Sequence, residues 1–259
     1  MQKISHPLTL VFLIALVIGL AVVSNLLKGP AGEAEEPDVA EEITPYVVFT
    51  VGPLEVTSTV VNTWAMMLLL GVGAYLLGRN LKPRPGPVQN ILEWIVEAIK
   101  KLVREMVGVE DTAIFLPVVG TLAFFIGTAN LIGLLPGLKS PTPDINTPLA
   151  MALVVFFSVP YFGIRTRGVW GYLKHYVEPI FLMLPVEIAS EIARTFSLTF
   201  RLFGNIMGEE IIISVLFIVM PLFVPVPMML FSIFTGLLQA YIFTLLTCVY
   251  IGGAVKAHK

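Results

Sequence analysis

The chain has 259 residues but a single cysteine, three histidines and only 13% charged residues, and each scarcity removes a class of function. Cys248 stands alone in an apolar stretch, so neither a disulfide framework nor a thiol metal cluster can be built. His6, His175 and His258 lie at the termini or in a loop, which leaves no set of intramembrane zinc or haem ligands. No Walker-type glycine-rich loop occurs, so any nucleotide chemistry belongs to partners, and neither cofactor nor metal is expected. Two related halves, the usual mark of a secondary transporter, are also missing. The net charge of -2 is too small to say anything about partners, and nothing supports a nucleic-acid role.

What is present is apolar. Hydrophobic residues make up 56% of the chain, far outside the range of a soluble domain of this length. The runs are long enough for helices rather than barrel strands, so the fold class is an all-α polytopic membrane protein.

Basic residues collect at segment ends and acids in one loop. Leu8 to Leu27 forms a first apolar segment, and residues 1–28 read as an extra N-terminal membrane anchor or a signal-like segment. Residues 29–55 form an acidic loop with Glu33, Glu35, Glu36, Asp38, Glu41 and Glu42, and no Lys or Arg lies between Lys28 and Arg79. That places the loop outside. Glu55, at its end, reads either as an outer-channel acid or as a plain interfacial one.

Residues 56–259 form the main membrane domain. Its first span, about Val56 to Leu77, ends at Arg79, Lys82 and Arg84 on the cytoplasmic side. From Val88 to Val107, Val88, Ile91, Leu92, Ile95, Ile99, Leu102, Val103 and Met106 recur at helical spacing opposite Glu93, Glu97, Lys100, Lys101 and Arg104. This predicts an amphipathic helix lying along the interface. Further spans follow at about Ala113 to Leu135 and Thr147 to Ile164, with Arg165, Arg167 and Lys174 returning to the inside and Asp144 and Asn146 placed to cap the second of them. Counting the N-terminal segment, about six membrane helices are expected.

The last third departs from ordinary spans. No proline occurs from Val186 to Met220, which allows a helix of roughly 52 Å against a hydrocarbon core of roughly 30 Å. Pro221, Pro225 and Pro227 enforce a turn, and Pro227 to Val255 makes a second helix of roughly 43 Å. Residues 186–255 thus predict a strongly tilted helical hairpin, held by packing against a partner surface. Gly204, Gly208 and Gly236 serve either close approach or kinking.

Within this hairpin lies Arg201, in Ser197-Leu-Thr-Phe-Arg-Leu-Phe-Gly-Asn205. An arginine at mid-membrane costs roughly 3 kcal/mol on insertion scales and roughly 10 to 17 in simulations, so it is read as a working group. The charge-free run from Ile211 to Val255 argues against a residue that merely snorkels to a headgroup. Glu187, Arg194 and Arg201 recur every seven residues, with Ser197 and Asn205 one turn either side of Arg201, and together they form one polar stripe. Glu210, nine residues after Arg201, falls on the opposite face. Glu187 and Arg194 are spaced to pair, and Glu191 and Glu209 add further acids to the same helix. On the second helix Ser232 and Gln239 are seven apart, with Tyr250 beyond, and helix-to-helix hydrogen bonding explains such groups as well as an ion path does.

Arg201-Leu-Phe-Gly-Asn205 with Glu210, Leu238-Gln-Ala240 followed by Tyr250, Asn130-Leu-Ile-Gly-Leu-Leu-Pro136, and Pro143-Asp-Ile-Asn146 before Pro-Leu-Ala-Met-Ala-Leu resemble subunit a of the F-type ATP synthase, from about Leu54 to the C-terminus. The resemblance implies a stator that passes protons or sodium ions through two offset half-channels to and from a ring of c subunits. It implies Arg201 as counter-charge to the rotor carboxylate, with Gln239 its neighbour. Glu210, Asn205 and Ser232 would line the outer half-channel, and Glu187, Glu191 and Arg194 the cytoplasmic one. Where some relatives carry histidine this chain has Ser232, so a histidine relay is not available there. The implied partners are the c ring, the peripheral stalk of b subunits, the other synthase subunits and membrane lipid. A bacterial-type inner membrane with both termini cytoplasmic, and no catalytic centre within the chain, complete the expectation.

Overall fold

The structure, a computed structural model, describes residues 47–51, 54–79, 81–134, 140–177, 183–219 and 225–256. The expected N-terminal segment, the acidic run 29–46 and the turns at Pro136 and Pro221 lie outside them. Two strands, β1 (Val47–Val51) and β2 (Leu54–Thr57), pair antiparallel with Thr50 opposite Glu55. A loop running into a span at Val56 was expected here. The β-branched runs Val-Val-Phe-Thr-Val and Leu-Glu-Val-Thr flank Gly52-Pro53, a strand, turn and strand pattern that continuous apolarity with the next segment conceals.

Six helices follow: α1 (Ser58–Arg79), α2 (Pro87–Val107), α3 (Leu116–Ile132), α4 (Asn146–Val177), α5 (Met183–Val219) and α6 (Pro225–Lys256). Four of them, α1, α4, α5 and α6, are long and apolar enough to cross a membrane; α3 is shorter, at 17 residues. Beyond the β1–β2 hairpin, the fold is therefore the helical, multi-pass arrangement the sequence predicts.

Helix α2 has Pro87 in its first turn and ends at Gly108, whose φ of 73° gives the left-handed cap a glycine adopts freely. Its apolar stripe is only half used. Ile99, Leu102, Val103 and Val107 are buried, while Val88, Ile91 and Trp94 are exposed. The C-terminal half docks on α3 and α6 and the N-terminal half keeps an apolar face outward, as an interfacial helix requires.

Helix α4 starts where Asp144 accepts hydrogen bonds from the Asn146 backbone N–H at 3.1 Å and side-chain amide at 2.9 Å, the expected cap. It breaks at Gly168, with φ 77° and ψ 163°. Beyond the break Tyr172 folds onto Gly163, where an added Cβ would meet its ring at 2.5 Å.

At 37 and 32 residues, α5 and α6 are about 55 and 48 Å long, too long to stand upright in a bilayer of about 30 Å. Helix α6 forms the centre of the molecule and touches α2, α3, α4 and α5. Its small residues permit this: Gly252 lies under the Met106 carbonyl of α2, Gly236 against Asn130 of α3, and Ala240 near Gly127 of α3. Helix α5 contributes only Leu198, Thr199, Leu202 and Ile206 to the buried core in its middle turns and leaves most of its surface open. Gly204 and Gly208 have nothing within reach of an added Cβ, so of the three glycines singled out from the sequence, Gly204, Gly208 and Gly236, only Gly236 makes a close approach among the described residues.

Candidate functional site

The polar groups of the hairpin meet at three levels. Near the start of α5, Arg194 donates to Glu187 at 3.3 Å, the pair that seven-residue spacing predicts. The same guanidinium stands over the Tyr250 ring of α6, 5.6 Å from its centroid. A pocket of about 20 Å³, room for one water molecule, lies beside it among Val155, Val159, Glu191, Arg194, Leu198 and Tyr250. Glu187, Glu191 and Arg194, expected at one end of the path, are thus gathered with Tyr250 where α4, α5 and α6 meet.

At the middle level Asn205 of α5 donates its amide to the Gln239 carbonyl of α6 at 2.9 Å. Arg201 lies one turn from Asn205, half-buried, and makes no hydrogen bond or ion pair among the described residues. Its neighbours on the outward side of α5 are small, Ser197, Gly204 and Gly208, all without bulk between the guanidinium and the surroundings. A cation is therefore held at the margin between packed core and open surface with no counter-charge of its own.

Further along α6, Ser232 is buried and its hydroxyl has no partner among the described residues, and the Gln239 side-chain N–H2 is likewise buried and without one. Unpartnered polar groups in a buried position are costly and call for water or an ion. Both lie on one face of α6, two turns apart. Glu210 sits half-buried on the side of α5 away from Arg201, and Glu209 is half-buried one residue before it.

Asn130 was quoted from its motif but given no role. Its amide donates to the Gly236 carbonyl at 3.0 Å, between Ser232 and Gln239, and its own carbonyl accepts from Thr142 at 3.3 Å. Ser140 bonds both Thr142, at 2.6 Å, and the Ala129 carbonyl, at 2.9 Å. This buried network ties α3 and the turn before α4 to the unpaired stretch of α6. An asparagine inside an apolar helix was the available signal.

The Lys256 end of α6 is closed by backbone caps. Arg167 donates twice to the Val255 carbonyl, at 3.1 and 2.9 Å, and Lys256 donates to the Met106 carbonyl at 2.9 Å. These bonds neutralise the carbonyl ends of α6 and α2.

Comparison with known proteins identifies the family. The family described as ATP synthase A chain matches residues 58–252. Among similar proteins, an ATP synthase subunit a 2 from Bradyrhizobium sp. strain BTAi1 is 47% identical over 213 residues, 82% of this chain and 95% of the relative. One from Pelobacter propionicus is 45% identical, covering 83% and 93%, and an ATP synthase subunit a from Moorella thermoacetica is 40% identical, covering 83% and 99%. A family match from the start of α1 into the last turns of α6, joined to relatives this similar over nearly their full length, shows that the chain belongs to the ATP synthase A chain family, the ion-translocating stator subunits of F-type ATP synthases.

Proposed function

We propose that Arg201 is the fixed counter-charge to a carboxylate carried by a ring of c subunits, and that the outward face of α5 around Ser197, Gly204 and Gly208 meets that ring. The observation that carries this is a half-buried arginine without a partner among the described residues, bordered by residues too small to shield it. A rotor carboxylate moving through lipid must be neutral, because desolvation raises a buried acid's pKa by up to about 3 to 5 units. A cation about 4 Å away supplies roughly 4 kcal/mol at an effective dielectric of 20, equal to about 3 such units. That offsets most of the shift at one point on the circle, where the ion is released. Arginine keeps its charge when desolvated, whereas lysine gives up its proton more readily.

Ser232, Asn205, Gln239 and Glu210 supply the outer half-channel, and Glu187, Glu191, Arg194 and Tyr250 the cytoplasmic one. The unpaired Ser232 hydroxyl and Gln239 amide, and the water-sized pocket beside Glu191 and Arg194, support this division. The cation between the two routes bars direct passage, so each ion crosses only with the ring and gains roughly 2.3 kcal/mol per 100 mV. Residues 56–259 carry this unit, with 1–28 an additional anchor and both termini cytoplasmic. The chain has no catalytic centre of its own, and the c ring, the b-subunit stalk and the nucleotide-binding subunits complete the machine.

The test is ion uptake by vesicles carrying the assembled complex, wild type against Arg201→Ala, with ATP-driven pumping and passive leak recorded on one preparation. Loss of pumping in a complex that still assembles is the expected result. Unchanged pumping would overturn the assignment and reopen a transporter mechanism.

A further inference from the structure

Two arginines two residues apart on α4 do opposite things. Arg167 turns inward and caps the α6 carbonyl of Val255. Arg165 stays on the outer surface and folds back along its own helix. Its guanidinium donates to the Tyr161 hydroxyl at 2.7 Å and lies 5.9 Å from the centre of that ring. An arginine at a span's end ordinarily extends toward water. Here it reaches back one turn to Tyr161, which lines one end of a shallow groove formed by α4 alone together with Ala150, Leu153, Val154, Phe157 and Ser158.

Short of the Tyr161 hydroxyl at its end, the groove is lined by apolar side chains and Ser158, whose hydroxyl is already satisfied by the Val154 carbonyl at 2.6 Å. Phe157 and Tyr161 are 64% and 54% exposed, and Trp170, past the break at Gly168, is 86% exposed. Helix partners in membranes are met by small side chains that allow backbones to approach. This face instead carries two exposed rings one turn apart, Phe157 and Tyr161. From Asn146 to Arg165 the helix rises about 28 Å, so Arg165 sits at headgroup depth, where Tyr and Trp also concentrate.

The charge at this position is uncompensated, since no carboxylate pairs with Arg165 among the described residues. Only one of its five N–H donors is used by Tyr161, and the tyrosine O–H remains free to donate as well. Together they present the forked donor set that fits a phosphate diester.

We propose that this face binds one anionic phospholipid, its acyl chain in the α4 groove and its phosphate on Arg165 and the Tyr161 hydroxyl. Basic sites at the membrane-facing ends of helices recognise such headgroups by charge and donor geometry together. The occupant is a lipid of net negative charge rather than a neutral one, because the guanidinium has no other counter-ion.

The experiment uses the assembled complex in native membranes, with Phe157 replaced by the photoreactive benzoylphenylalanine and, separately, Leu153 replaced in the same way. After irradiation the subunit's adducts are identified by mass. The expected adducts are phospholipids, with phosphatidylglycerol or cardiolipin enriched over their share of the bulk membrane. Arg165→Gln is expected to bring that share down to the bulk value, while Arg165→Lys keeps part of the enrichment and Tyr161→Phe lowers it. Adducts to another polypeptide, or lipid adducts in bulk proportion with Arg165 intact, would overturn the proposal without recourse to any Arg165 variant.

Discussion

Asn205 of α5 bonds Gln239 of α6 at 2.9 Å, and eleven residues away on each helix Arg194 covers Tyr250. Equal separations on two antiparallel helices mean that the hairpin holds one register over three turns, about 16 Å. Arg201, between the two contacts, is consequently fixed in height although nothing among the described residues grips its guanidinium. A counter-charge that must act on a moving partner needs this combination, a rigid base and an uncommitted head.

The Asn205 to Gln239 bond predicts an asymmetry. Gln239 is 2% exposed and already has one unpaired N–H2, so Asn205→Leu leaves its whole amide unsatisfied. That costs about 1 to 3 kcal/mol. Gln239→Leu removes the buried amide itself and is expected to cost less, with the double variant no worse than Gln239→Leu alone. Dissociation temperatures of the purified complexes check the order, and equal losses for both single variants would contradict it.

Two adjacent glycines give a sharper contrast. A Cβ on Gly252 would come within 2.6 Å of the Met106 carbonyl, which belongs to the backbone of α2 and cannot yield as a side chain would. A Cβ on Gly253 meets nothing within 4 Å. Gly252→Ala is expected to separate α6 from α2 at a cost of about 1 to 3 kcal/mol or more. Gly253→Ala should leave membrane levels of the subunit unchanged, measured by immunoblot of washed membranes.

Much of this was legible in the sequence, for a definite reason. Helical periodicity turns spacing into direction, so Glu187 and Arg194 could be paired and Glu210 set opposite Arg201 from numbering alone. Positive charges after Leu77 and Ile164 marked the ends of α1 and of the α4 span before Gly168. The bond between Asn130 and Gly236 could not be read, because those residues lie 106 positions apart and their meeting depends on how α3 packs on α6. The strands at 47–57 were hidden by apolar continuity with α1. Nor could the roles of Gly204, Gly208 and Gly236 be separated, since a glycine's spacing does not tell whether its open side faces the chain or a partner.

Those three glycines now carry distinct expectations. Gly236→Ala would push a methyl to 3.0 Å from the Asn130 Cβ and disturb the network through Thr142, so it should lower the stability of the subunit itself by about 1 to 3 kcal/mol. Gly204→Ala and Gly208→Ala have open space in this chain and should leave its insertion intact. If their open side faces the rotor, both reduce ATP-driven pumping while membrane levels stay normal. Normal pumping in both would remove the c ring from that face.

Tyr250 offers a test of the inner end that separates the ring from the hydroxyl. The Arg194 guanidinium stands 5.6 Å from its centroid, and the contact belongs to the π face. Tyr250→Phe keeps the face and is expected to retain pumping. Tyr250→Leu keeps bulk but loses an attraction worth about 0.5 to 2 kcal/mol, freeing Arg194 to follow Glu187 alone. Arg194 also lines the water-sized pocket with Glu191, so its displacement should alter the proposed ion path as well as the packing. Pumping rates of the two variants at equal membrane levels decide the point. A Phe variant as defective as the Leu variant would show that the hydroxyl, and not the cation over the ring, is what the inner path requires.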